Sequence, residues 1–161
     1  MITILLVSGV NYSLNFIIDF KDYLTLRNDY SEILNDLDKM NVNCIYNDFF
    51  TAPTIAACSN DRIVSGTVVF DYDSESDGVL YPSNYLRSID LFENHSKYNT
   101  CVVFSNWTMD ELQKNATPEF REKLFSGLTL EKEQQYSKIK YYFYRIKDEK
   151  LIDYYYRADK K

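Results

Sequence analysis

Residues 29–40 read Asp29-Tyr30-Ser31-Glu32-Ile33-Leu34-Asn35-Asp36-Leu37-Asp38-Lys39-Met40, and residues 41–50 continue Asn41-Val42-Asn43-Cys44-Ile45-Tyr46-Asn47-Asp48-Phe49-Phe50. In the first stretch Tyr30, Ile33, Leu34, Leu37 and Met40 recur at i, i+3, i+4, i+7 and i+10, which is one face of a helix. Asn28 or Asp29 can cap it, and Glu32 follows Asp29 at capping-box spacing. The outer face would then carry Asp29, Glu32, Asp36 and Asp38 against Lys39 alone. The second stretch drops the helical period and reads as a strand near Val42–Phe50. A helix followed at once by a strand makes this a mixed chain of helices and strands.

Upstream, residues 2–8 form a β-branched and Leu-rich run ending at Ser8-Gly9, the pattern of a strand buried on both faces. Residues 14–24 fit two readings. Leu14, Phe16, Ile18 and Phe20 alternate as in a strand, whereas Phe16, Phe20, Tyr23 and Leu24 fit a helix. The hairpin with residues 2–8 is preferred for its cleaner period.

Downstream, an irregular stretch is expected from Pro53 to Asn60, then a strand over Ile63–Tyr72 and a turn over Asp73–Gly78. Pro82-Ser83 opens a helix with Tyr85, Leu86, Ile89 and Phe92 inward, and Thr100–Asn106 is a buried strand. Thr108-Met109-Asp110-Glu111 reads as a capping box on a short helix. Thr117-Pro118-Glu119 opens another, with Phe120 and Leu124 one turn apart and Gly127 as a left-handed cap. Ser137–Ile146 and Leu151–Arg157 form a hairpin turning at Lys147-Asp148-Glu149-Lys150. The expectation is a single α+β domain over 1–161, with a ferredoxin-like βαββαβ central order, two short helices and a C-terminal hairpin at about 137–157. That order hosts many functions and assigns none.

Composition narrows the chemistry. The chain has 161 residues, one histidine, four glycines and three cysteines. One histidine excludes paired-histidine zinc sites and paired-histidine acid–base chemistry. The glycines, Gly9, Gly66, Gly78 and Gly127, are too scattered for a phosphate-cradling loop. Cys44 and Cys101 sit in apolar runs, as buried free thiols do, and Cys58 has a loop-like setting. The N-terminal run lacks a basic leader and is too short to span a membrane, so a reduced cytoplasmic setting is expected, with no membrane association. Net charge is −6. The acidic excess lies in residues 1–100, while residues 101–161 are mildly basic. This argues against direct duplex binding, which needs cations to replace phosphate counterions.

Four features could carry function. The alternating carboxylates Asp73, Glu75 and Asp77 before Gly78 resemble the first half of a calcium loop, but the twelfth position is Asn84 where that site needs a bidentate Glu. A solvated acidic turn is the favoured reading and no cofactor is expected. The segment Lys138–Lys147 interleaves cations and aromatics, placing Lys138, Lys140, Tyr142 and Tyr144 on one strand face and Ile139, Tyr141, Phe143 and Arg145 on the other. Tyr suits a half-wet sheet in its own right, so a structural role leads, ahead of a protein interface and single-strand nucleic-acid stacking. Trp107 follows a buried strand; packing across that junction is favoured over an exposed anchor. His95 is expected at a helix end.

These readings point to a small acidic accessory protein, non-catalytic, that binds and modulates a basic partner, such as a nucleic-acid-handling host protein. Binding would use Asp29, Glu32, Asp36 and Asp38, or the hairpin through Tyr142 and Tyr144, with Trp107. The composition is that of an AT-rich genome, as in many accessory proteins of phages and other viruses. The alternative is a small enzyme acting on a nucleotide-like molecule, with Asp48, Asp71, Tyr72 and Asp73 as acid–base candidates. Single-strand binding by the C-terminal sheet is the third reading.

Overall fold

The computed structural model describes residues 28–47, 51–60, 62–70, 72, 79–82 and 95–152. The expected strand at 2–8, the ambiguous stretch 14–24, the acidic loop from Asp73 to Gly78, the helix over 83–92 and residues 153–157 of the expected strand to Arg157 lie outside these residues; at its start Leu151 closes a 3-10 turn (Glu149–Leu151) and Ile152 makes a single bridge to Leu80.

The expected first helix, α1, covers residues 28–39. It ends in a Schellman arrangement. Asn41 is left-handed (φ 55), the Val42 N–H donates to the Leu37 carbonyl at 2.9 Å and the Asn41 N–H to the Asp38 carbonyl at 3.0 Å. Asparagine tolerates the left-handed region better than most residues, and Leu37 and Val42 supply the apolar contact that accompanies this stop. Strand β1 (Cys44–Asn47) follows. Next comes a helix, α2 (Thr51–Cys58), where an irregular stretch was expected. Pro53 falls in its first turn, where a missing N–H breaks no helical bond, so the proline signal does not apply. Ile55 anchors α2 at 0% exposure.

Strand β2 (Val64–Phe70) agrees with expectation, and β3 (Leu80–Pro82) was not foreseen. Pro82 closes β3, which pairs with β2 and at Leu80 also bridges in parallel to Ile152. His95 begins a single 3-10 turn (His95–Lys97). Strand β4 (Thr100–Ser105) leads directly into α3 (Asn106–Asn115). The cap is Ser105 and not Thr108: Ser105 Oγ accepts from the Thr108 N–H at 3.2 Å, and the two hydroxyls lie 3.1 Å apart. Helix α4 (Pro118–Ser126) starts as read, with Thr117 Oγ1 accepting from the Phe120 N–H. Gly127, expected to be left-handed, has φ −85 and ψ −1. Its need for glycine is close approach: a Cβ there would lie 3.1 Å from Leu151 Cδ1.

The hairpin is displaced from its expected place. It joins β5 (Leu128–Tyr136) to β6 (Ile139–Ile146) through Ser137-Lys138, with Ser137 at φ 44. β5 escaped notice because its interior, Thr129 to Gln135, is almost wholly polar; as an edge strand it faces solvent along most of its length.

The described strands form one mixed sheet in the order β3-β2-β1-β4-β6-β5. β1 is parallel to both β2 and β4, and the remaining pairs are antiparallel. The fold is α+β, and the described strands do not bear out a ferredoxin-like order. Neighbours β1 and β2 are parallel and joined through α2, whereas that fold separates such strands by an antiparallel one.

Alternation along the strands builds two cores. Tyr46, Val102, Phe104 and Tyr144 face Leu112 of α3, its C-cap Ala116, and Phe120 and Leu124 of α4. Ile45, Cys101, Val103, Tyr141 and Phe143 face Ile33, Leu34 and Leu37 of α1 and Ile55 of α2. Helices therefore cover both faces. Among the described residues, no helix is long and apolar enough to cross a membrane. Leu37, fully buried in the second core, is a direct probe of this packing. Leu37→Ala is expected to lower unfolding free energy by about 2–5 kcal/mol in urea titration; a loss under about 1 kcal/mol would contradict the placement.

Candidate interaction surface

α1 presents Glu32 and Asp38 to solvent as expected, but not Asp36. Asp36 is buried at 7% exposure. Its carboxylate accepts from Tyr136 Oη at 2.5 Å and meets Lys132 Nζ at 2.6 Å, with Lys39 Nζ at 3.7 Å. Burial by itself would push the Asp36 pKa up; hydrogen bonds from Lys132 and Tyr136, with the charges of Lys132 and Lys39, outweigh it and hold the carboxyl below its ordinary value. The Tyr136 phenol moves the other way, pushed up by burial and by its bond to Asp36. Asp36 is thus a tie between α1 and the hairpin. Asp29 is half-buried and accepts from Ser137 Oγ at 2.6 Å, and Asp38 meets Arg62 at 3.4 Å. The acidic face is smaller and more neutralised than the sequence suggests.

The hairpin tyrosines divide likewise. Tyr144 is buried between Phe104 and Phe125, and burial pushes its phenol up to about 12. Tyr141 and Phe143 lie in the second core. Tyr142 is half-buried, with Lys140 Nζ 5.2 Å from its ring centroid and held there by an ion pair to Glu133. A broad aromatic platform is absent from the described strands.

Trp107 departs furthest from its favoured reading. It is 65% exposed, more than Val69 or Leu130, the other exposed large apolar side chains among the described residues. The reason is local. Ser105 caps α3 and Thr108 and Leu112 turn inward, so position 107 points outward by helical spacing. The same face carries Asp110, Glu111 and Lys114, all exposed. Asn106 Oδ1 accepts from the Lys140 N–H at 3.2 Å, which sets Trp107 beside the start of β6. Trp107, Lys140 and Tyr142 therefore share one side of the sheet, and Glu32 and Asp38 lie on the other.

The remaining chemical candidates are less available. Cys44 and Cys101 are buried, and burial pushes both thiols up to about 12, so neither is a thiolate nucleophile; Cys58 is exposed. Tyr72 is half-buried, donates to Glu111 at 3.5 Å, and is pushed up to about 12 by burial and that carboxylate. Asp48, Asp71, Asp73, Glu75 and Asp77 lie outside the described residues. Among the described residues no three His, Cys, Asp or Glu side chains are grouped to hold a metal ion.

One organising residue had no sequence signal. Arg145 donates from Nη2 to the Met40 carbonyl at 2.7 Å and from Nη1 to Asn99 Oδ1, and its Nε lies 2.9 Å from Glu131. It caps the end of α1 from a strand more than a hundred residues away. Comparison with protein-family models, curated proteins and solved structures finds no match.

The Asp36 tie predicts a pH dependence. Its folded pKa is depressed, so its contribution is fully present above the unfolded value of about 3.9 and is lost as pH falls through the folded value. Asp36→Asn should cost about 2 kcal/mol at neutral pH, less than a fully buried pair because Lys132 keeps partial solvent contact. The gap from wild type should narrow on acidification below about pH 4 in chemical denaturation; a gap independent of pH would refute the assignment.

Proposed function

We propose that this is an acidic, non-catalytic accessory protein that binds and modulates a partner protein, with Trp107 at the centre of contact. The observation that carries the reading is the 65% exposure of Trp107 on a well-capped helix. A rigid exposed indole loses little freedom on binding and offers a large apolar area, which is why tryptophan recurs in binding hot spots. The net charge of −6 favours a basic partner, such as a host protein that handles nucleic acid, whose phosphate-binding surface an acidic protein can occupy. Three unpaired cysteines suit a reducing compartment such as the cytoplasm. Direct single-strand binding draws less support, because Tyr144 is buried and Tyr142 is half-covered.

The test is capture from a host lysate with wild type and Trp107→Ala at low and high salt. Binding should survive at low salt, weaken as salt rises, and fall about thirtyfold in the variant, which corresponds to a hot-spot loss of about 2 kcal/mol. Equal capture by both proteins would sink the proposal.

A small-molecule site is the second reading. Asn47, at the carboxyl end of β1, pairs with Thr67 in the middle of the parallel strand β2; both are buried, and Thr67 Oγ1 has no hydrogen-bond partner among the described residues. Open parallel sheets gather ligands beside such ends, where the strand order reverses. A nucleotide that raises the melting temperature of wild type but not of Thr67→Val would favour this reading; no shift with any nucleotide would remove it.

A further inference from the structure

We propose that the outward stripe of α3 formed by Trp107, Asp110 and Glu111 receives an arginine side chain of the partner protein, its guanidinium stacked on the indole and forked toward the carboxylates. This rests on the reading of the chain as a partner-binding protein and names the chemistry of the contact. Positions 107, 110 and 111 stand at i, i+3 and i+4, so the two carboxylates border the ring one turn on. Among the described residues, Arg121 and Lys140 are engaged elsewhere. Arg121 donates to the carbonyls of Gln113 and Ala116, each at 3.1 Å, closing the end of α3. Lys140 is bound to Glu133. Lys114 sits a turn further along and makes no ion pair with Asp110 or Glu111 among the described residues.

Glu111 accepts from the neutral phenol of Tyr72 at 3.5 Å, which leaves its charge in place, so the charge beside the ring is negative. That excludes a phosphate backbone as the natural occupant and selects a cation. Arginine fits better than lysine. Its planar, weakly hydrated guanidinium can stack on a ring and still direct N–H donors sideways to a carboxylate, whereas an ammonium is compact and strongly hydrated. Tryptophan is the strongest of the aromatic acceptors for a cation.

Trp107 is the protein's one tryptophan, so its emission reports this site directly. Titration with hexa-arginine should give a saturable change in emission. Affinity should be about tenfold or more weaker for hexa-lysine, and equally weakened for hexa-arginine in the double variant Asp110→Asn, Glu111→Gln. Circular dichroism of the double variant should match that of wild type, since both positions are exposed. Equal affinity for the two peptides, unchanged affinity in the double variant, or a saturable response to oligothymidylate would each overturn the arginine assignment. Absence of hexa-arginine binding, with partner capture still lost in Trp107→Ala, would overturn it alone. Unchanged capture in that variant would remove the functional reading beneath it.

Discussion

The structure depends on strands that bury both of their faces. β1, β4 and the middle of β6 send successive side chains into two separate cores, so these runs are mostly apolar. The sheet cannot be stable with helices on one side only, because the other row would meet water. α1 and α2 on one face, and α3 and α4 on the other, follow from that requirement. Short helices suffice, since most of their stability comes from packing one apolar stripe and little from propensity.

Holding α1 against an edge hairpin needs more than apolar contact, because the edge is polar. Two polar ties do this. Asp36 receives Tyr136 and Lys132, and Arg145 reaches the Met40 carbonyl at the other end of the helix. Lys132 also follows a register shift in β5, and an inward charge beside such a bulge discourages pairing with another chain's edge. On α3, capping by Ser105 stiffens the helix start, and Trp107 stands outward.

Much of the fold was legible where burial is local and periodic. α1, β2, β4 and α4 follow from apolar spacing and from Thr117-Pro118 at a helix start. The errors share a cause: a local signal read without its neighbours. Pro53 suggested irregularity but occupies a first helical turn. Thr108-x-x-Glu111 imitated a cap that Ser105 provides. The polar run Thr129–Gln135 hid a strand because an edge strand need not alternate. The candidate site was legible in part. Trp107 was recognised as a possible anchor, yet its exposure turns on which residue caps α3. Asp36 looked like one more carboxylate on an acidic face because its partners lie about a hundred residues away.

By itself the sequence determined the class, the main helices and strands, the net negative charge and the poverty of catalytic resources, because each depends on composition or on contacts a turn apart. Only the tertiary structure decided the parallel centre of the sheet, the burial of Asp36 and Tyr144, and the outward setting of Trp107. Those outcomes depend on which distant strands become neighbours, and the pairing of β1 with both β2 and β4 leaves no mark in any local pattern.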